Sequence, residues 1–276
     1  RTRLAVEPIS MVQIEVSDDA TASGSAFTFH ALDNAFACLS TPQASEQLTR
    51  WGLAGEHAAT QAAAFRFDGT FKPEMADAFL LDFLNSDVVQ AAAPVSAGRG
   101  AWTKLGPVTA IQSERLATNV LRLDFFDRLE AAEVVRGGHI SKCFDAQVGE
   151  VLASDRLRLA LLDEAAEEWE LFSAQDRREL IFHLFRTLCV GGGLCQFEDL
   201  AEPYLARTKE LYKECVGVSK NSAGALQVHS LAFRLRGVTA AAPLFPRESD
   251  HNFCFLTVDP VARRVKLWYG SYLPLF

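Results

Sequence analysis

Apolar residues recur along this chain in two rhythms, every second residue or every third and fourth, and the change of rhythm separates strands from helices. Residues 1–26 carry little of either and are rich in small and polar residues from Ser17 to Ser25, so a weakly ordered N-terminal segment is expected. Phe27 and Phe29 then alternate with Thr28 and His30, a short strand. Thr41-Pro42 sets an N-cap before a proline at the first helical position, and that helix should run to about Trp51, before Gly52. Residues 63–67 read as a strand. Pro73 opens a second helix, with Ala76, Phe79, Leu80, Phe83 and Leu84 on one face. Pro94, Gly98, Gly100 and Gly106 mark 91–106 as a loop or a seam between subdomains. Further on, 108–111 and 120–123 predict strands, and 125–135 predicts a helix ending at Gly137-Gly138. A loop or short strand is expected at 139–145. Residues 152–168 read as a helix with Arg156, Arg158, Asp163 and Glu164 outward.

The clearest helix follows Ser173 and Asp176, which fit the Ser-x-x-acid capping box with the shorter acid. Leu180, Ile181, Leu184, Phe185 and Leu188 share one side. Phe182 and Cys189 widen that side to about half the circumference, which leaves Glu179, His183 and Arg186 opposite. A helix this apolar packs on two sides and should be central. Burying its five core side chains contributes about 1.5–3 kcal/mol each before entropy costs. Gly191 is placed to cap it with positive φ.

A second helix begins near Pro203. Its inner face is Tyr204, Leu205, Thr208, Leu211, Tyr212 and Cys215, with Arg207, Glu210, Lys213 and Glu214 outward. The remainder is β. Asn221-Ser222-Ala223-Gly224 makes a turn, the apolar phase shifts near His229-Ser230 as at a bulge or break, and 253–258 pairs with 264–269 as a hairpin. Blocks of helices and antiparallel hairpins imply an α+β fold, with central amphipathic helices packed on antiparallel hairpins in one globular domain from 27 to 276.

Composition narrows the function. With 49% hydrophobic and 22% charged residues over 276, the chain is an ordinary globular one. A net charge of −8 gives no reason to expect nucleic acid or an anionic membrane surface as a partner. No apolar run reaches the roughly 18–20 residues of a membrane-spanning helix. No basic region followed by an apolar one opens the sequence, so no secretory signal is expected. Six scattered cysteines suit free thiols in a reducing compartment.

Four chemistries are suggested by isolated residues. Gly191-Gly192-Gly193 could cradle a phosphate, but the glycines follow a helix end and no Lys-Ser or Lys-Thr comes after them. His139 with Cys143, or Cys189 with Cys195, could start a zinc site, yet there is no Cys-x-x-Cys pair and Cys189 lies on the apolar arc. Cys143 or Cys195 with His139 could form a nucleophile and base, which needs a lowered thiol pKa. Glu198-Asp199 could act as a catalytic carboxylate pair or as calcium or magnesium ligands, although a solvated helix start or an acidic partner-binding edge is the better reading. The tryptophans and tyrosines read singly as core, and the apolar 272–276 as either a docking tail or a strand end. No cofactor and no metal are implied.

The run Phe172-Ser173-Ala174-Gln175-Asp176-Arg177, continued by Leu188-Cys189-Val190-Gly191-Gly192-Gly193-Leu194-Cys195-Gln196-Phe197-Glu198-Asp199, resembles the cilia- and flagella-associated protein 300 family. So do Pro203-Tyr204-Leu205, Val218-Ser219-Lys220-Asn221, Gly138-His139-Ile140-Ser141-Lys142-Cys143-Phe144-Asp145, Phe65-Arg66-Phe67-Asp68-Gly69-Thr70-Phe71, and Val258-Asp259-Pro260 with Arg263. The similarity spans about 27–269 and fails at the two ends. Within it, the family often has Ala at the third glycine. The resemblance implies a non-enzymatic adaptor for cytoplasmic preassembly of outer and inner axonemal dynein arms and for their delivery by intraflagellar transport. Implied partners are a kintoun-type assembly factor, dynein arm subunits and the transport machinery. The implied location is the cytoplasm and the cilium or flagellum. Gln196, Glu198, Asp199, Asp259 and Arg263 are the candidate partner-binding residues. Two alternatives stand beside this: a small-ligand binder or enzyme using His139, Cys143, Cys195 and Glu198, and a structural component of the axoneme.

Overall fold

The computed structural model describes residues 27–33, 35–55 and 58–273. The expectations for 1–26 and for the last three residues lie outside that range. In chain order the strands are β1 (Thr28–Leu32), β2 (Ala59–Asp68), β3 (Val95–Gly98), β4 (Ala101–Thr103), β5 (Ala110–Leu116), β6 (Val135–Arg136) and β7 (His139–Ile140). They continue as β8 (Lys142–Val148), β9 (Val151–Asp155), β10 (Val218–Lys220), β11 (Leu226–Val228), β12 (Leu231–Thr239), β13 (Phe253–Asp259) and β14 (Arg264–Ser271). The helices are α1 (Pro42–Arg50), α2 (Ala76–Asn85), α3 (Asp87–Ala92), α4 (Arg128–Ala131), α5 (Arg156–Leu162), α6 (Leu180–Val190) and α7 (Glu202–Cys215).

The fold is α+β, as the blocks of pattern predict. Among the described residues, six antiparallel strands form one sheet in the order β1-β2-β14-β13-β12-β5, and the other eight pair as four hairpins. The sheet is buried on both faces. Phe253, Phe255, Trp268 and Ala232 join α6 and α7 in one core. Cys254, Leu256, Val258, Val265, Leu267 and Tyr269 join Phe79, Leu80, Phe83 and Leu84 of α2 in the other. Strand side chains alternate between faces, so β13 feeds both cores and reads as an almost continuous apolar run. In the second core the Phe79 ring sits edge-on to Phe27, Phe67 and Phe71 at 4.7, 5.0 and 4.9 Å, a geometry aromatic pairs prefer.

Local signals mostly hold. Thr41 accepts the Ala44 N–H at 3.2 Å and caps α1, with Pro42 at its first position. The β10–β11 hairpin turns at Asn221–Gly224, where the Asn221 carboxamide oxygen accepts the Ala223 and Ala225 N–H groups. The break at His229-Ser230 separates β11 from β12. Ser173 and Asp176 make the reciprocal bonds of a capping box. They open a 3₁₀ turn at Asp176–Arg178, one step before α6.

Several expectations fail. Residues 120–123 are not a strand; the chain there is held by Glu179, whose carboxylate accepts the Asn119 N–H at 3.0 Å. The helix expected over 125–135 is a 3₁₀ turn (Leu123–Phe126) and the single turn α4. Gly137 and Gly138 do not end a helix: with φ of 57° and 82° they turn the β6–β7 hairpin. Residues 152–168 split into β9, α5 and a 3₁₀ turn. Four polar residues expected outside are buried: Arg158, Glu179, His183 and Arg207. Arg207 is covered because α1 and the 3₁₀ turn Ala37–Leu39 pack on α7, and it donates to the Gln47 carboxamide at 2.7 Å and the Cys38 carbonyl at 2.9 Å. The 91–106 stretch contains the β3–β4 hairpin, with Gly98 and Gly100 in positive φ at its turn.

Candidate functional site

The site grows from the C-terminal end of α6. Gly191 leaves the helix with φ +65° and donates to the Thr187 carbonyl at 2.9 Å. Gly192 then donates to the Trp51 carbonyl at 2.9 Å, and Gln196 to the Arg50 carbonyl at 2.8 Å, so the loop is stitched to the end of α1. The approach is too close for side chains: a Cβ at Gly192 would lie 2.1 Å from the Gly52 carbonyl oxygen, and one at Gly191 2.3 Å from that of Trp51. The glycines therefore permit backbone-to-backbone packing. Their N–H groups that point inward are taken by carbonyls, which is not the open cradle a phosphate requires.

A buried ion pair supports the loop from behind. Asp155 and Arg158 are both fully buried, 2.5 Å apart. Asp155 also accepts the Arg158 N–H at 2.9 Å and so caps α5. The Arg158 guanidinium donates to the Cys189 carbonyl at 2.7 Å and the Tyr204 hydroxyl at 2.9 Å, and lies 3.5 Å from the Phe197 ring centroid. One side chain thus joins α5, the end of α6, the loop and α7. Tyr204 passes the contact on by accepting the Glu198 N–H at 3.0 Å.

Glu198 itself faces inward. Its carboxylate accepts the Trp51 indole N–H at 3.0 Å and pairs with Arg50 at 3.3 Å. Asp199 is exposed and pairs with Lys142 at 2.8 Å, while its carbonyl accepts the Ile140 N–H at 2.8 Å. The Lys142 bond, ahead of its charge, holds the Asp199 carboxyl below the usual carboxylate range. Gln196 is exposed, as are Leu194 and Leu200. The outcome is a loop fixed at its back, with a carboxylate, a carboxamide and two leucines outward. These four side chains form an exposed patch on a loop that is held from behind.

Asp259 and Arg263 sit elsewhere, in the turn between β13 and β14. Asp259 accepts the Val261 and Ala262 N–H groups at 2.9 and 2.8 Å and lies 3.2 Å from His229. Arg263 has φ +51°, and its carbonyl accepts the Phe67 N–H at 3.0 Å. Both shape this turn, and no hydrogen bond or ion pair among the described residues joins them to Gln196, Glu198 or Asp199.

The alternative set is not assembled for nucleophilic chemistry. Burial pushes the Cys195 thiol up to about 12 against the pull of Arg158. Burial, then Asp155, raises that of Cys143. A thiol nucleophile needs the opposite shift. His139 is exposed, with its main chain bridged to Leu200, and no hydrogen bond joins it to Cys143, Cys195 or Glu198 among the described residues. All six cysteines are free, and among the described residues no three His, Cys, Asp or Glu side chains converge as metal ligands. No helix is long and apolar enough to cross a membrane among those residues.

Sequence reasoning missed Asp155, Arg158 and Trp51. A signal for Arg158 was present: at about 100° per residue it falls between Leu161 and Leu162 on the α5 wheel, inside the apolar arc. Its charge hid its phase.

No solved structure matches the chain. Two curated relatives named cilia- and flagella-associated protein 300 do. The one from Chlamydomonas reinhardtii is 37% identical over 236 residues, covering 83% of this chain and 91% of the relative. The one from Paramecium tetraurelia is 31% identical over 266 residues, covering 95% and 100%. The family model described as cilia- and flagella-associated protein 300 matches residues 26–270, a span that takes in the six-stranded sheet, both cores and the loop after α6, and the chain belongs to that family.

Proposed function

We propose that the chain is a non-enzymatic adaptor that serves motile cilia and flagella. It acts in the cytoplasmic preassembly of outer and inner dynein arms and travels with them on intraflagellar transport. Family membership over residues 26–270 carries this reading. The raised thiols and the inward-turned Glu198 are consistent with it, because they leave the loop a contact surface instead of a reaction centre. Its partners are then proteins: a kintoun-type assembly factor, arm subunits and the transport machinery. Gln196 and Asp199 are the first candidates for contact, and Glu198 positions them.

Deletion of the gene in a flagellate tests the reading. Axonemes should lack outer and inner arms in cross-section, and the protein in wild-type cells should wash into the soluble matrix after detergent. Normal arms in the null would end the proposal. Retention at fixed stoichiometry in extracted axonemes would replace it with a structural role.

A further inference from the structure

Phe144 is 98% exposed and belongs to neither core. The backbone of the β8–β9 hairpin puts it there. Between the pairs Lys142–Asp155 and Ala146–Ala153, three residues of β8 face the single residue Ser154 of β9. Such a bulge re-aims a side chain, and Phe144 is the middle residue of the three. The hairpin beneath it is anchored, since Val151, Ala153 and Asp155 are buried. A ring held out in this way adds nothing to packing, whereas buried aromatic rings carry much of the energy of interfaces.

The charge around the bulge is one-sided. Residues 130–170 hold ten carboxylates and four Lys or Arg, in a chain of net charge −8. All four cations are taken: Arg136 by Glu133 at 2.6 Å, Lys142 by Asp199 at 2.8 Å, Arg156 by Glu168 at 2.6 Å and Arg158 by Asp155 at 2.5 Å. From outside the stretch, Arg247 takes Glu150. Glu130, Asp145, Asp163, Glu164, Glu167 and Glu170 are left with no ion pair among the described residues. A further cation, Arg177, lies 3.2 Å from the Trp169 ring centroid with Glu164 and Glu170 near it. The acidic turn is tied to the bulge through Arg156, which pairs with Glu168 and donates its N–H to the Ser141 carbonyl at 2.9 Å. At Cys143, beside Phe144, burial and then the charges of Asp155, Glu168 and Asp145 raise the thiol against the pull of Arg156, so the field there is negative. The Lys142–Asp199 pair also sets the bulge beside the loop after α6.

We propose that Phe144 anchors a docking surface for a basic amphipathic helix of a protein partner, whose apolar face receives the ring and whose Lys and Arg side chains meet Asp145 and the unpaired glutamates. Side chains at i, i+3, i+4 and i+7 of a helix enclose a hole that fits one projecting side chain, and the flanks of the same helix can carry the cations. A second copy of this chain would bring the same negative charge to the surface and be repelled by it, and so would an anionic membrane. The inference deepens the adaptor reading and rests on it for the existence of a protein partner.

The test uses the full chain and a fluorescein-labelled helical peptide of four Leu-Lys-Lys-Leu repeats, read by fluorescence anisotropy. Binding is expected to saturate, and to weaken by at least about tenfold when Glu replaces Lys, as charge complementarity requires. A peptide of the same composition, shuffled so that leucines fall on every side, should lose a similar factor, because it keeps the charge and loses the apolar face. In the protein, Phe144→Ala should weaken binding at least about tenfold at an unchanged melting temperature, as removal of an interface anchor does. Val261→Ala, which trims another exposed apolar side chain in the turn between β13 and β14, should leave binding unchanged. No saturable binding, equal affinity for the ordered peptide and either of its analogues, or an equal response to the two substitutions overturns the proposal. So does a dimer in light scattering that Phe144→Ala dissolves, since a second copy then receives the ring. Normal dynein arms in a null would instead sink the adaptor reading and leave the peptide result standing.

Discussion

Single residues fix the loop after α6, and the glycines show how. Gly192 and Gly193 are neighbours in a run of three, yet their surroundings differ. A Cβ on Gly192 would strike the backbone of Gly52, which cannot move without shifting the end of α1. A Cβ on Gly193 would meet the edge of the Tyr272 ring at 2.7 Å, a side chain that can rotate aside. Gly192→Ala should therefore destabilise by about 1–3 kcal/mol, as overpacking against fixed neighbours does. Gly193→Ala should cost less than about 1 kcal/mol, within the range of tolerated surface changes. Urea midpoints at unchanged slope decide the matter; equal losses from the two substitutions would mean that Gly52 does not constrain the run. The sequence showed that glycine was needed here and assigned it to a turn; the partner it must approach, Gly52, lies far away in the chain.

At the scale of an element, α6 is the informative case. Its apolar arc and central position were legible because Leu180, Ile181, Leu184, Phe185 and Leu188 repeat at helical spacing. What was not legible is that the opposite side is buried too. His183 lies against the Phe255 ring of β13, 6.0 Å between centroids, and its Nε2 has no hydrogen-bond partner. Strand β13, whose Phe255 covers it, begins 70 residues downstream at Phe253, so no local pattern announces it. Burial, then the charges of Arg234 and Arg236 on β12, Arg186 on α6 and Arg177 before it, hold this imidazole well below its ordinary value and so neutral in the fold. The unfolded chain binds a proton near pH 6.5 while the folded chain does not, so stability is full above about 6.5 and falls as the pH drops below it. The slope is about 1.4 kcal/mol per pH unit for one proton. Denaturant titrations from pH 8 to pH 5 should show this loss, and His183→Gln should remove one proton from the slope. An unchanged slope in the variant would place the proton uptake elsewhere. Arg158 and Arg207 teach the same lesson on α5 and α7: the wheel position was correct information, and residue type was allowed to overrule it.

For the whole molecule, the open question raised by the sequence is whether residues 91–106 divide it. The structure ties that stretch back to the sheet. The Ser96 N–H donates to the Tyr269 hydroxyl at 3.1 Å, Tyr269 donates to the Leu244 carbonyl at 2.9 Å, and the Gln90 side chain bonds both Leu84 and Gly106. More decisively, the two cores share their strands. Phe253 and Phe255 pack with α6 while Cys254 and Leu256 between them pack with the other core, so neither side can melt and leave β13 intact. Unfolding should then be one cooperative transition. Leu184 and Leu256 are fully buried, one in each core. Truncating either to Ala should cost about 2–5 kcal/mol, or about 4–20 °C in melting temperature for a domain of this size. Both should move the same calorimetric peak, with tryptophan fluorescence following it. Two resolved transitions, one shifted by Leu184→Ala and the other by Leu256→Ala, would show instead that the sheet splits and that 91–106 is a boundary. A single peak would also place the loop after α6 and the six-stranded sheet in one cooperative unit.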